Sequence, residues 1–454
     1  MSDLNPKIWP SSAKRENGEI SIGDCAATAL AAKYGTPIFV LDESDFAARA
    51  ENWLLGLRAT FQENAGSVFY AGKAFLSVEI AKAIAKLGLN LDVCTGGELA
   101  VAVAAKFPPA RIEMHGNNKS EKEIEAALEY GIATIVLDSL HEIERVARLA
   151  KARNLTQKVL IRLNPGVEAH THEYITTAIE DVKFGFSIAS GAAWEAVQLI
   201  LKSPNLKLVG VHSHIGSQIF TSAAFDATAV KLLEFMKRYR DEFNAELPEL
   251  IIGGGFGITY VEGDESIEIA TLLSQINQVV IENCKLSGLS IPKVSIEPGR
   301  AIVGPAMVTL YTVGTTKEVA LETGMKRLYV SVDGGMSDNI RTSLYGAEYT
   351  VRLANRNSAA TERECRIVGK HCESGDVIIQ SAMLPSDIKP GDLLMVAATG
   401  AYGRSMASNY NHVPRPGVIA VHSGKARTII RSETTADLLA LDVEESAEPI
   451  GERS

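Results

Sequence analysis

The sequence predicts an α/β barrel, of the (β/α)8 or TIM type, followed by a second, mainly β domain built as a β-barrel or sandwich. Between about residues 67 and 297, short apolar runs alternate with longer amphipathic helical patterns roughly eight times. Beyond about residue 305, short strand-like runs follow one another with little helix. An open doubly wound sheet is the alternative. We favour the barrel because polar residues end nearly every run, and a closed barrel gathers those ends around one mouth.

Length, composition and charge limit the class of protein. The chain has 454 residues, too many for one ordinary core. It is 46% hydrophobic and 22% charged, and its net charge of −10 predicts no general attraction to nucleic acid or anionic membrane. No apolar run reaches the roughly 18 residues of a membrane span, and we expect no signal peptide. The five cysteines lack CxxC spacing, which favours reduced thiols in a cytoplasm over disulfides or a zinc site.

Near residue 305 the pattern changes from alternating strands and helices to consecutive strands, and this change predicts how the chain divides into domains. We expect an N-terminal segment (1–40) that joins the β domain, the barrel (41–305), the C-terminal β domain (306–442) and an acidic tail (443–454). The first elements are a possible strand at 19–22, a helical stretch at 24–34, a strand at 36–41 and a helix at 42–58. The predicted barrel strands are 67–71, 89–93, 112–115, 132–137, 158–163, 206–214, 250–253 and 293–297, and helices lie between them at 97–106, 120–130, 140–153, 190–202 and 225–239. The β-domain strands are 307–313, 327–332, 349–353, 364–368, 376–380, 393–398 and 417–422, with a closing helix at 431–441.

A lysine follows the first barrel strand at once. Lys73 stands in the sequence FYAGKA, at the carboxyl end of a buried run. Burial disfavours an ammonium group and lowers its pKa, and a neutral amine can form a Schiff base with an aldehyde cofactor. The alternative is an ordinary surface lysine at a loop.

The strands that follow end in polar residues that could serve either structure or ligand binding. Asp92 either orients a ligand or caps the following helix. The segment HGNNKS ends in Ser120, a predicted N-cap with Glu123 as its capping-box partner. His170 and His172 suggest a metal at first sight, but no third ligand stands at a helical offset, so we expect no metal. The segment KFGFS (183–187) is expected to form a turn and the start of a helix.

The later barrel strands supply further candidates. His212 and His214 share one face of a strand. An imidazole there can stack on a flat ring or act in acid–base chemistry, although His212 is better explained as a satisfied core histidine. The turn GGGFG, with Gly254 and Gly255, offers backbone amides to a phosphate, but it lacks the spacing of a dinucleotide site or a P-loop.

The last barrel strand ends in EPGR. Glu297 is suited to holding a proton on a pyridine nitrogen, and Arg300 to gripping a carboxylate in bidentate fashion. A salt bridge between the two is the alternative. In the β domain, Arg341 and Tyr345 stand in a stretch too polar for a packed core, and Cys372 lies among charged residues, where a thiol can donate a proton.

The ordered set of motifs is more specific than any one of them. FYAGKA, HGNNKS, RLNPGVEAHTH, KFGFS, HSHIGSQ, GGGFG, EPGR, DGGM, CESGD and GAYG occur in that order. This set resembles the fold type III decarboxylases that depend on pyridoxal 5'-phosphate (PLP), over about residues 36–441. Within the family it is most similar to the members that decarboxylate meso-2,6-diaminopimelate to L-lysine.

The resemblance implies roles for individual residues. Lys73 would form the Schiff base with PLP. The other cofactor-binding residues would be Asp92, His214, Ser217, Gly254, Gly255, Glu297, Gly299, Arg300 and Tyr402. The substrate would be bound by Arg300, Arg341, Tyr345, Glu373 and Tyr402. The resemblance also implies a homodimer with shared active sites, in which Cys372 of the partner subunit is the proton donor.

Two other functions stay open on the sequence. One is another decarboxylase of the same fold, acting on ornithine, arginine or carboxynorspermidine. Arg300 and Arg341 favour diaminopimelate, because its distal end carries a carboxylate and that of ornithine does not. The other is an inactive PLP-binding homologue, which should have lost Cys372 or the arginines, and all three are present.

Overall fold

The computed structural model describes residues 4–167, 183–322 and 324–443. His170 and His172, and with them the metal site that the sequence argued against there, lie outside these ranges, as does the tail from residue 444 onward. No helix among the described residues is both long and apolar enough to cross a membrane. The chain begins with β1 (Lys14–Glu16), β2 (Glu19–Ile22), β3 (Cys25–Ala26), α1 (Ala27–Tyr34), β4 (Ile38–Asp42) and α2 (Glu43–Phe61).

The predicted barrel is confirmed, and it is closed. Its strands are β5 (Ala65–Ala71), β6 (Asn90–Val93), β7 (Ile112–Met114), β8 (Thr134–Leu137), β9 (Gln157–Asn164), β11 (Leu206–His212), β12 (Glu249–Ile251) and β13 (Lys293–Ile296), with β10 (Phe186–Ser187) added beside β9. All eight pair in parallel in chain order, and β13 returns to β5, which excludes the open sheet. The helices around them are α3 (Val78–Leu87), α4 (Gly96–Ala104), α5 (Glu121–Tyr130), α6 (Leu140–Ala152), α7 (Ala192–Leu201), α8 (Ala223–Phe243), α9 (Ile269–Ser287) and α10 (Arg300–Val303).

The interior of the barrel changes from apolar to polar along its axis. Five buried apolar side chains from five strands fill the inside: Phe69, Val136, Leu160, Val209 and Ile251. The residues at the carboxyl ends of the strands are buried but polar, namely Asp92, Glu113, His115, His212 and Glu297. The apolar layer closes the barrel below, so a ligand can enter only from the mouth where the polar groups lie.

The predicted second domain is confirmed as mainly β. Its strands are β14 (Met307–Ala320), β15 (Lys326–Val332), β16 (Val351–Leu353), β17 (Glu362–Val368), β18 (Val377–Pro385), β19 (Leu393–Val396), β20 (Val418–His422) and β21 (Lys425–Ile430), with the short helices α11 (Arg341–Tyr345) and α12 (Thr435–Leu439). The long strand β14 connects two halves: its start pairs with β4 and β19, and its end pairs with β15. Strand β4 therefore enters this sheet although it precedes the barrel in the chain.

Two local predictions were wrong and one is confirmed. The segment KFGFS does not begin a helix, because Phe186 and Ser187 form β10 and α7 starts only at Ala192. The closing helix is shorter than predicted, since Thr434 caps it with its side chain and only five residues follow in the helix. The capping box of Ser120 and Glu123 at the start of α5 is present as predicted.

Candidate active site

The mouth of the barrel contains one small cavity that gathers most of the predicted cofactor residues. It lies at the carboxyl ends of β5, β11 and β13. Eight predicted site residues line it: Lys73, His214, Ser217, Gly255, Glu297, Gly299, Arg300 and Tyr402. Residues up to 329 positions apart in sequence, from Lys73 to Tyr402, thus share one space because a closed barrel brings its strand ends together.

Lys73 is held in a short turn directly after β5. The carbonyl of the next residue, Ala74, accepts hydrogen bonds from the backbone amide of Tyr402 (2.9 Å) and the hydroxyl of Ser405 (3.0 Å). Lys73 Nζ lies 3.7 Å from Asp92 Oδ2. The prediction of a lowered pKa was wrong. Burial does lower the pKa of Lys73, but Asp92 and the other negative groups at the mouth outweigh it and raise the pKa above its usual value.

The structure resolves the two interpretations of Asp92. The helix α4 is capped by Thr95, whose side chain accepts from the amide of Glu98, so Asp92 is not the cap. Asp92 is fully buried, and its Oδ2 atom has no hydrogen-bond partner among the described residues. It faces the lysine and stabilises the ammonium form of that side chain.

Glu297 is fixed by two imidazoles. Its Oε1 atom lies 2.8 Å from His212 Nε2 and 3.3 Å from His115 Nε2. These two histidines hold the pKa of Glu297 well below its usual value, although burial alone would raise it. Its Oε2 atom is buried and has no partner among the described residues. One oxygen of this carboxylate is therefore anchored, and the other is left to accept a hydrogen bond from a ligand. The alternative interpretation, a salt bridge between Glu297 and Arg300, is absent from the contacts of the described residues.

His212 is buried and hydrogen-bonded, as the core interpretation expected, but its partner is the site carboxylate. Burial lowers the pKa of His212 to about 4, so the ring is neutral and donates its Nε2 proton to Glu297. His214, two residues on, accepts a hydrogen bond on Nδ1 from the amide of Gly254 (3.2 Å) and lines the cavity. Burial lowers its pKa as well, so its ring is also uncharged. His212 therefore lies behind the carboxylate, whereas His214, beyond the end of β11, lies in the cavity.

The glycine turn leaves no room for side chains. A Cβ added to Gly254 would lie 2.3 Å from the carbonyl oxygen of Glu297, and one added to Gly255 would lie 2.3 Å from that of Gly216. Gly255 also has φ +97°, in the region that favours glycine. Close by, Arg300 donates to the hydroxyl of Ser217 over 2.8 Å. The glycine turn, a hydroxyl and a guanidinium come together here, which is a set of groups suited to a phosphate.

We predict that Gly255→Ala weakens binding of a phosphate-bearing cofactor by at least about tenfold, since its Cβ would push the turn away from the cavity. Gly263→Ala is the matched control: Gly263 has a similar φ of +102°, but nothing lies within 4 Å of its added Cβ. Titration of both apoproteins with the cofactor, followed by absorbance, measures the effect. Equal losses in the two variants would mean that backbone strain, and not the shape of the turn, limits binding.

Two buried arginines meet at one phenol beside the cavity. Arg300 and Arg341 both donate to the hydroxyl of Tyr260, over 2.6 and 3.0 Å, and Arg341 also donates to Tyr349 over 2.6 Å. In the part of the chain that the structure describes, no carboxylate lies within 4.0 Å of either guanidinium. The two cations lower the pKa of Tyr260 against the effect of burial. Two buried guanidinium groups without a carboxylate form a site for an anionic group of a ligand.

Besides Asp92, Gly254 and Arg341, three further predicted residues do not line the cavity of their own chain. Cys372 and Glu373 are exposed in the loop between β17 and β18, and Tyr345 is half-buried at the end of α11. The cysteine amide donates weakly to the side chain of Asn411 (3.4 Å). Exposure of the thiol leaves it accessible to a second molecule.

Sequence reasoning missed three residues of the mouth: Glu113, His115 and Tyr260. The alternation of a strand gives a signal for the first two, since they stand two apart and therefore share a face. The four ligand atoms of Glu113, His115, His212 and Glu297 lie within 4.8 Å of one another. Two histidines and two carboxylates are donor types that a metal could use, but the 2.8 Å contacts within the set have the length of hydrogen bonds that carry protons.

The site fits pyridoxal phosphate on its own geometry. The unpartnered Oε2 atom of Glu297 would suit the ring nitrogen, the glycine turn would suit the phosphate, and the amine of Lys73 would suit the aldehyde. These three features line the same cavity.

Comparisons with known proteins agree with this geometry. Residues 44–304 match the family model described as "Pyridoxal-dependent decarboxylase, pyridoxal binding domain". The chain is 50% identical over 445 residues to diaminopimelate decarboxylase of Mycobacterium tuberculosis, covering 97% of this chain and 98% of the relative. It is 46% identical to that of Bacillus subtilis, covering 95% and 97%. The crystal structure of diaminopimelate decarboxylase from M. jannaschii in co-complex with L-lysine superposes with a TM-score of 0.88 at 31% identity, covering 96% and 98%.

Proposed function

Because this chain belongs to the diaminopimelate decarboxylases, which are PLP-dependent enzymes, we propose that it converts meso-2,6-diaminopimelate to L-lysine and CO2. The observation that carries the proposal is the single cavity shared by Lys73, Glu297 and the glycine turn, with two carboxylate-free arginines beside it. In this assignment residues 41–305 form the cofactor domain, and residues 306–442, joined by 1–40, form the β domain.

Each part of the cavity has a task in this reaction. Bound PLP supplies an electron-poor pyridinium ring that takes up the electron pair left when CO2 departs. Lys73 would hold the cofactor through its amine. The free oxygen of Glu297 would accept a hydrogen bond from the ring nitrogen, and His214 would lie against the ring. The turn at Gly254 and Gly255, with Gly299, Ser217 and Arg300, would bind the phosphate. Asp92 and Tyr402 hold Lys73 and its turn in place.

The substrate is bound by polar groups next to the cofactor site. The paired arginines, Arg300 and Arg341, bind substrate carboxylate, and Tyr402 contacts substrate and cofactor. Cys372 of a partner subunit donates the proton that replaces the lost carboxylate. Glu373 beside it binds the distal amino-acid end, together with Tyr345. The exposure of Cys372 and its absence from the cavity lining of its own chain support this arrangement. It requires a homodimer.

A parallel assay tests the substrate. We expect CO2 release from meso-diaminopimelate and at most trace release from D-lysine or L-ornithine, because only diaminopimelate carries a carboxylate at its distal end. Comparable release from L-ornithine would instead assign the chain to another decarboxylase of the same fold. The absence of release from all three, with PLP bound, would favour a cofactor-binding homologue without activity.

We predict that Arg341→Met raises KM for diaminopimelate by about 10- to 100-fold, the loss of one charge-assisted contact. The bound cofactor should keep its absorption spectrum, because Arg341 contacts tyrosines and not the cofactor residues. Arg366→Met is the control in the same domain, since Arg366 donates to a backbone carbonyl on a solvent-facing strand. Steady-state kinetics on both variants make the comparison. An unchanged KM in Arg341→Met would remove this residue from the substrate site.

A further inference from the structure

A buried pair of side chains behind Glu297 has no role in the proposed reaction. Glu113 on β7 and His115 directly after it are almost completely buried. His115 Nε2 lies 2.8 Å from Glu113 Oε1 and 3.5 Å from Asp92 Oδ1, and it also contacts Glu297 Oε1. The other oxygen of Glu113 accepts from the hydroxyl of Thr134 over 3.0 Å. One imidazole therefore stands among three carboxylates from three different strands.

A protonated imidazole offsets part of the negative charge of this cluster. Three buried carboxylates without a cation would be strongly unfavourable. Burial lowers the pKa of His115, but the carboxylates outweigh it and raise that pKa to about 10. Burial raises the pKa of Glu113 to about 7. The groups that face the pair are Asp92 from β6, His212 from β11 and Glu297 from β13, with Lys73, Cys94 and Glu98 around them at the mouth.

We propose that Glu113 and His115 are positioning residues, which occupy one oxygen of Glu297 and keep that carboxylate ionised so that its other oxygen can accept the ring nitrogen of the cofactor. The inference rests on the role of Glu297 in the proposed function. When Glu113 is ionised, it shares the proton of His115, and Glu297 keeps more of its negative charge for the ring. When Glu113 is protonated, His115 is bound more strongly by Glu297, and the free oxygen becomes a weaker acceptor.

A first experiment measures the cluster without the reaction. In apoprotein labelled with 15N-histidine, NMR should show one imidazole that stays protonated well above the ordinary pKa of about 6.5, and His115→Gln should remove its signal. We expect Glu113→Gln to lower the titration midpoint of His115 by about one pH unit or more, because one of its three carboxylates is neutralised. An unchanged midpoint would overturn the inference.

A second experiment uses the holoenzyme and two variants, of which one removes the ionisation of Glu113 and the other shifts it. In the wild type, kcat should rise with pH through the ionisation of Glu113. Glu113→Gln should lower kcat about tenfold without changing KM and should remove this rise. Thr134→Val preserves shape but withdraws the hydroxyl from the Glu113 carboxylate, which raises the pKa of Glu113 and should shift the rise to higher pH. If Glu113→Gln does not fold, Thr134→Val still provides the test, and an unshifted profile would overturn the inference.

Glu297→Gln separates this inference from the proposed function. If it keeps the wild-type kcat, the ring partner itself is wrongly assigned, and both proposals fail. If it loses activity while Glu113→Gln and Thr134→Val leave the pH profile and the His115 titration unchanged, only the role of the buried pair fails. Loss of activity together with the expected shifts supports both.

Discussion

The Lys73→Ala variant should bind PLP without covalent attachment and should lose turnover by at least about 10⁴-fold, an order set by covalent catalysis together with proton transfer. Lys73 is the lysine that lines the cavity, and its turn is held from the β domain through Ala74. Absorbance of the purified protein and reduction with borohydride, followed by mass measurement, show whether the attachment is gone. A covalent adduct that persists in this variant would contradict the assignment.

Lys73→Arg is the matched control for this prediction. An arginine keeps a positive charge near Asp92 and so preserves the charge balance of the site, but its guanidinium stays protonated and cannot attack an aldehyde. We expect it to be as inactive as Lys73→Ala and to be at least as stable to heat. If Lys73→Arg is more stable than Lys73→Ala, the difference measures how much the positive charge at this position stabilises the fold, separately from the reaction of the amine.

The environment of Lys73 also predicts a pH dependence. Only the neutral amine attacks an aldehyde, and the carboxylates at the mouth raise the pKa of Lys73. The neutral fraction then increases about tenfold per pH unit below that pKa. The rate at which apoprotein captures PLP should therefore rise with pH throughout the neutral range. Stopped-flow absorbance after mixing measures it, and Asp92→Asn should give faster capture at pH 7 because it removes the nearest negative group.

The sequence predicted the fold well because the barrel is encoded locally. Each strand and helix has its own apolar pattern, and turn residues separate them. The alternating order of strands and helices can therefore be predicted before any long-range contact is known. The same reasoning placed polar residues at strand ends, and closure of the barrel then brought Lys73, His214 and Glu297 into one cavity. Where the local signal was short, as at Phe186 and Ser187 in β10, the prediction failed because two residues carry no periodicity.

The unpredicted part of the site depends on contacts across the barrel. The expectation of a lowered pKa for Lys73 was based on burial alone. Only the structure shows that Asp92 lies next to the ammonium group of this lysine. Tyr260 was missed because its partners, Arg300 and Arg341, come from distant segments, and a single tyrosine in a loop gives no pattern. Glu113 was passed over inside an ordinary strand, although a carboxylate between two apolar residues of a barrel strand is itself unusual.

The Cys372→Ala variant should retain PLP and lose turnover by about 10²- to 10⁴-fold, the usual contribution of a positioned proton donor. The thiol is exposed at the tip of a β-domain loop and absent from the cavity of its own chain. Cys25→Ala is the control, since that cysteine is buried against the N-terminal strands. Turnover with cofactor absorbance measured in the same sample separates loss of chemistry from loss of PLP.

Mixing two inactive variants determines whether the thiol acts across the dimer. If sites are shared, a heterodimer of Lys73→Ala and Cys372→Ala chains contains one intact site, formed by Lys73 of one chain and Cys372 of the other. Random pairing of equal amounts makes half of the dimers mixed, so co-expression should restore roughly a quarter of wild-type activity. If the thiol served the lysine of its own chain, every site would lack one of the two groups and co-expression would restore nothing. Recovery would therefore require both a dimer and a site built from two chains, because neither alone can reunite the lysine with the thiol.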